Sequence, residues 1–111
     1  MIEKLSNDEA DKMIEDVLSH IESSLAIKGK EYVRNDDRLH NFNVAAKKKG
    51  ITREQAIDGM RLKHEISIDD MRNDIANGIL PTKEMVDEKF GDIINYYILE
   101  KMSILHKINN Q

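Results

Sequence analysis

Asp87-Glu88-Lys89-Phe90-Gly91-Asp92-Ile93-Ile94-Asn95-Tyr96-Tyr97 places two carboxylates and an amide, those of Glu88, Asp92 and Asn95, at i, i+4 and i+7. That spacing draws one line along an α-helix, because residues three and four apart stack on the same face. Phe90, Ile93 and Tyr97 lie on the opposite side and read as the buried stripe, with Val86, Ile94 and Ile98 beside them and Ile104, Leu105 and Ile108 beyond. Lys101 interrupts that stripe without changing its direction. The polar line itself reads either as a solvent-facing edge or as a site for a metal ion or a phosphate. It runs on into Leu99 and Met102, and a helix apolar on both sides is usually covered on both, so a second subunit is expected against this last helix.

The same period governs the rest of the chain. Apolar positions recur at three and four rather than two, and one proline and five glycines leave little material for tight turns. The expected fold is therefore all-α: four helices, no sheet, and a single domain over residues 1–111. The first helix opens at Ser6-Asn7-Asp8-Glu9, a capping box, and carries Met13, Ile14, Val17, Leu18, Ile21 and Leu25 before Gly29. The second starts near Asp36 or Asp37, buries Leu39, Phe42, Val44 or Ala45, and Ala46, and ends at Gly50 behind three lysines suited to the negative end of its dipole. Thr52-Arg53-Glu54-Gln55 is a second capping box, opening a helix that buries Ile57, Met60, Ile68, Met71 and Ile75 and stops at Gly78. Pro81-Thr82 begins the last. The loop around Lys30 to Asn35 is the main irregular connection, and such loops often carry function.

Seventeen basic residues against 21 acidic ones give a net charge of −4, which lacks the broad positive field that polymeric nucleic acid requires. No apolar run approaches the ~20 residues needed to span a bilayer. Without cysteine there is no disulfide framework, and the opening Met1-Ile2-Glu3-Lys4-Leu5 has neither the basic nor the apolar run of a secretory signal, so a cytoplasmic protein is expected.

Candidate chemistry falls in three places. Glu65 and Asp69 on the third helix, with Glu88 and Asp92 on the fourth, offer four carboxylates for a cation such as Mg²⁺. Arg61, Glu65, Asp69 and Arg72 also read as a ladder of surface ion pairs. His64, within an apolar stripe, reads as a core or interface histidine or as a base. The segment from Lys28 to Phe42 mixes cations with aromatics: Lys28, Lys30, Arg34 or Arg38 suits phosphates, and Tyr32 or Phe42 suits stacking on a base, packing in the core being the simpler role for both rings. No glycine-rich phosphate loop, His-Glu-x-x-His or nucleophile motif is present.

Together, Lys28-x-x-Glu31-Tyr32, Asp37-Arg38-Leu39-x-Asn41-Phe42, Gly59-Met60-x-x-Lys63-His64-x-x-Ser67-Ile68-x-Asp70 and Asp87-Glu88-Lys89-x-Gly91-Asp92-x-x-Asn95-Tyr96 resemble small phage and prophage proteins related to the nucleotide modification associated domain family. That group looks like a branch of the MazG-like and all-α dUTPase-like nucleotide pyrophosphohydrolases. The resemblance covers about Lys28 to Leu105, and the last motif is its most specific part. It implies a MazG-like helical bundle, usually oligomeric, that uses Mg²⁺ held by Glu and Asp to cleave a nucleoside triphosphate between its α and β phosphates. On that resemblance Glu88 and Asp92 are the catalytic carboxylates and Glu65 or Asp69 joins them on the metal. Lys28, Glu31, Tyr32, Arg38, Lys63, His64, Asn95 and Tyr96 contact the substrate. MazG-like enzymes usually carry Glu-x-x-Glu on one helix and Glu-x-x-Asp on the next. Here the first is absent, and Lys89 stands three residues before Asp92, with Glu88 displaced about 100° round the helix. The departure leaves two other readings open: a non-catalytic module that sequesters a nucleotide or signalling nucleotide, and a helical adaptor that binds another protein through the apolar rear of the last helix.

Overall fold

The computed structural model describes residues 2–32, 34 and 36–111, the side chains of 28–32 excepted. Four helices follow one another: α1 (Asn7–Tyr32), α2 (His40–Lys49), α3 (Arg53–Ala76) and α4 (Lys83–Asn109). Among the described residues there is no strand beyond one isolated bridge between Arg34 and Asp37. None of these helices is long and apolar enough to cross a membrane.

Local chemistry sets the helix ends. The Glu9 N–H donates to Ser6 Oγ, and the Ser6 hydroxyl donates to the Glu9 carboxylate. Thr52 Oγ1 accepts from the Gln55 N–H while the Gln55 side chain accepts from the Thr52 N–H, which satisfies two otherwise orphaned donors at the start of α3. Gly50, at φ 66°, ends α2. Gly78, at φ 81°, ends α3, where the Ile79 N–H reaches back to the Asp74 carbonyl and the Gly78 N–H to that of Ile75. Gly29 does not act in this way, for α1 runs through it to Tyr32. A lone glycine inside a helix costs only about 1 kcal/mol, too little to end a helix of this length. The connection is accordingly shifted toward the C-terminus, and α2 begins at His40, later than the aspartates that precede it.

The helices pack in a chain: α2 on α3, α3 on α4, and α4 on α1. Leu39, Phe42 and Ile57 form the buried centre, with Met60, Tyr96 and Leu99 packed round them. Ala46, Ala56, Ile68 and Met71 are also buried; of the alternatives Val44 and Ala45 the second is half-buried and the first exposed, and Ile75, expected inside, is exposed.

The largest departure from expectation is the orientation of α4. Its buried residues are Gly91, Asn95 and Ser103, while Phe90, Tyr97, Ile104, Leu105 and Ile108, expected in the core, face outward. The Asp92 and Asn95 part of the polar line therefore turns toward the rest of the chain, while Glu88 stays exposed. Two partners draw it there. Asn95 Nδ2 donates to Ser24 Oγ on α1 at 3.0 Å, and Arg53 at the start of α3 donates from Nε to Ser103 Oγ at 2.6 Å and from a guanidinium NH₂ to the Ser103 carbonyl at 3.1 Å. Ser103 in turn donates to Glu54, which also takes Lys107. Gly91 lets α1 come close, since a β-carbon there would stand 3.2 Å from His20 Nε2.

Arg61 is the other correction. Expected on the surface, it is 5% exposed and held by Asp58, Glu65 and Glu100 at 2.6, 3.1 and 2.6 Å, with its guanidinium 4.0 Å from the centre of the Tyr97 ring. Desolvation alone would favour losing its proton, but the bonds to Glu100 and Glu65 more than offset this and hold the charge.

Ile57 has no exposed surface, so Ile57→Ala should lower stability by about 2–5 kcal/mol in chemical denaturation. The same change at half-exposed Ile75 should cost less than about 1 kcal/mol.

Candidate functional site

The inward polar line of α4 forms one wall of a cleft of about 260 Å³. Asp92, Asn95, Tyr96 and Leu99 come from α4, at helical spacing; Met60, Lys63 and His64 face them from α3. Asn41 and Phe42 enter from the first turn of α2, Arg38 from the turn before it, and Leu25 from α1.

The turn that presents Arg38 is built on its neighbour Asp37. Asp36 sits in the left-handed region at φ 59°, which aspartate tolerates better than most residues. Asp37 Oδ1 then accepts the Leu39 N–H and Oδ2 the Asn43 side-chain amide, both at 2.9 Å. Those two bonds hold the Asp37 carboxyl below its ordinary range, the Leu39 N–H contributing most. An Arg53 guanidinium nitrogen donates to the Asn43 amide oxygen at 3.4 Å, so the turn is tied to the same residue that anchors Ser103.

Inside the cleft the aromatic rings of Phe42, His64 and Tyr96 lie together. Tyr96 meets Phe42 edge-on with centroids 6.2 Å apart and lies tilted against His64 at 5.0 Å. His64 Nδ1 is 3.8 Å from Asp92 Oδ2. Lys63 and Arg38 are exposed, at the mouth. Asn95 is 5% exposed, and although its Nδ2 is bound to Ser24, its Oδ1 is buried with no hydrogen-bond partner among the described residues. A buried acceptor left unsatisfied costs about 1–3 kcal/mol, so it is the kind of group for which a ligand donor is a natural complement.

Of the residues picked from the sequence, Arg38, Lys63, His64, Asp92, Asn95 and Tyr96 meet here. The side chains of Lys28, Glu31 and Tyr32 lie outside the described residues. The carboxylates expected round Mg²⁺ do not converge: Glu65 is bonded to buried Arg61, Asp69 pairs with Arg72 at 2.7 Å, and Glu88 is exposed. Among the described residues no three His, Asp or Glu side chains are grouped as a metal site. Only Asp92 of the four lines the cleft, so the described donors do not fit the expected cluster.

The chain matches no family model, no curated protein and no solved structure. Its functional reading rests on this geometry. Ser24 and Leu25 were not singled out for the site from sequence, since nothing in their spacing shows that α1 closes the far side of α4, and Met60 on α3 was read only as a core residue.

The Asp37 carboxylate gives a pH signature. Because its folded pKa lies below the usual ~3.9, its contribution is full above that value and is lost as pH falls through the lower folded one. Asp37→Ala should therefore be less stable than the parent at pH 7, with the gap closing on acidification below about pH 4, as read from denaturant midpoints across pH.

Proposed function

We propose that the cleft binds a nucleotide. The observation that carries this reading is the meeting, in one concavity, of an aromatic and apolar wall, a buried unsatisfied amide oxygen and two exposed cations. Each suits one part of the ligand. A base can lie against Tyr96 and His64 with Leu25, Met60 and Leu99 round it, as flat apolar faces do in most small-ligand sites. An N–H on its edge would satisfy Asn95 Oδ1. Lys63 and Arg38 at the mouth are placed for phosphates, Arg as a fork and Lys as a point charge.

Mg²⁺-dependent pyrophosphohydrolysis, which the family resemblance implies, is the more demanding form of this proposal. The cation can use a single protein carboxylate when substrate phosphates and water supply the rest, and Asp92 is the carboxylate in reach. The scattered positions of Glu65, Asp69 and Glu88 favour the binding form, a module that retains a nucleotide without turning it over.

The test is a panel of ribo- and deoxynucleoside triphosphates with Mg²⁺ or with EDTA, following thermal stabilisation and pyrophosphate release together. Stabilisation that survives EDTA without pyrophosphate is expected. Pyrophosphate release abolished by Asp92→Asn would establish the hydrolase instead, and no stabilisation by any nucleotide would overturn both. Lys63→Gln should weaken the preferred nucleotide by roughly ten- to a hundredfold, the worth of a charge-assisted bond, while leaving the fold intact because the side chain is exposed.

A further inference from the structure

A side-chain amide has a donor end and an acceptor end, and the fold uses only one end of Asn95. Its Nδ2 donates to Ser24 Oγ at 3.0 Å, which turns the nitrogen toward α1. Its Oδ1 is buried beyond the reach of water and has no hydrogen-bond partner among the described residues. The nitrogen is therefore engaged by the bundle, and what remains for a ligand is an acceptor that a donor brought into the cleft would satisfy.

The wall around that oxygen offers little to an incoming acceptor. One turn before Asn95, Asp92 brings a carboxylate to the cleft, and one turn after it Leu99 brings only carbon, with Leu25 and Met60 beside them. Apart from His64 and Tyr96, the rings against which a base would lie, the other lining side chains able to donate are Arg38, Asn41 and Lys63, and all three are exposed.

Resting on the reading of this cleft as a nucleotide site, we infer that it takes a base with an exocyclic amino group in preference to one with a carbonyl in the same place, and that Ser24 is the positioning residue that imposes the choice. An amino group projects beyond the ring and carries its hydrogens outward, so it can reach a recessed acceptor. The ring N–H of uracil lies between two carbonyls. Bringing it to Asn95 Oδ1 sets those carbonyls beside an oxygen of the same partial charge and strands them where no donor replaces their water. A site built around one hydrogen bond rejects an analogue that leaves its polar groups unpaired. Ser24 acts through Asn95 and not on the ligand. Without the Ser24 oxygen, the amide is free to turn over and present Nδ2, and a carbonyl base becomes as acceptable as an amino base.

Calorimetric titration of the full chain in EDTA, with CTP against UTP and ATP against ITP, tests this directly. Within each pair an amino group is exchanged for a carbonyl and the neighbouring ring nitrogen gains a hydrogen, with nothing else altered. In whichever pair the cleft admits, the amino member should bind at least about tenfold more tightly, the worth of one hydrogen bond gained and a carbonyl spared. Ser24→Ala should lower that ratio to about threefold or less with helicity unchanged, and Ser24→Thr, which keeps the hydroxyl, should retain it. A Ser24→Ala chain that binds both members more weakly but keeps their ratio would overturn the role of Ser24, since general loosening of α1 acts on both alike. Equal or reversed binding by the parent chain would overturn the amino-base preference and leave the cleft reading standing. Binding of none of the four nucleotides would overturn both.

Discussion

The structure depends on which side of α4 the chain covers. This helix is apolar through much of its circumference, and packing against α1 and α3 can enclose only one side. Hydrogen bonding decides the matter. Asn95 and Ser103 find fixed partners in Ser24 and Arg53, groups that are themselves delivered by neighbouring helices. Turning Phe90 and Tyr97 inward would bury more carbon but would leave Ser24 and Arg53 without these partners, and a stranded donor or acceptor forfeits its full desolvation energy. The outward apolar face is the consequence, and so is the cleft.

From that orientation the other features follow. Arg53 ties Ser103 on α4 to Asn43 on α2, and Asn43 holds Asp37, so the turn that carries Arg38 is fixed by the same set of bonds that fixes the far end of α4. Arg61 closes the adjacent side by collecting Asp58, Glu65 and Glu100. Glu65 thereby acquires a structural partner that removes it from any cation at the cleft. Binding groups and bundle contacts are drawn from the same short stretches of α3 and α4, which places Lys63 and His64 facing Asp92 and Asn95 without further adjustment.

Local signals in the sequence were readable because their causes are local. Thr52 with Gln55, Ser6 with Glu9, and Gly50 and Gly78 each act within a turn, and the three-and-four period fixes the all-α class. Gly29 misled because a stop signal requires the chain to leave the helix there, and nothing nearby makes it do so. The site was legible in its residue types, since Arg38, Lys63, His64, Asp92, Asn95 and Tyr96 do line one cleft. What could not be read was which face of α4 would be inside. Hydropathy favours Phe90 and Tyr97, whereas the bonds that reverse the choice join residues about 50 and 71 positions apart. The same blindness made Arg61 look like a surface residue and the four carboxylates look like one cluster.

The amide of Asn95 is where fold and proposed ligand meet, held by Ser24 on one atom and without a partner among the described residues on the other. The most direct measurement is a ¹⁵N–¹H titration of the labelled protein with the nucleotide that stabilises it best, following the Asn95 side-chain NH₂ pair. Large shifts there and at the amides of His64 and Tyr96, with little change at Ile104 and Ile108, are the predicted result. An unmoved Asn95 with shifts concentrated on the outer face of α4 would contradict the account.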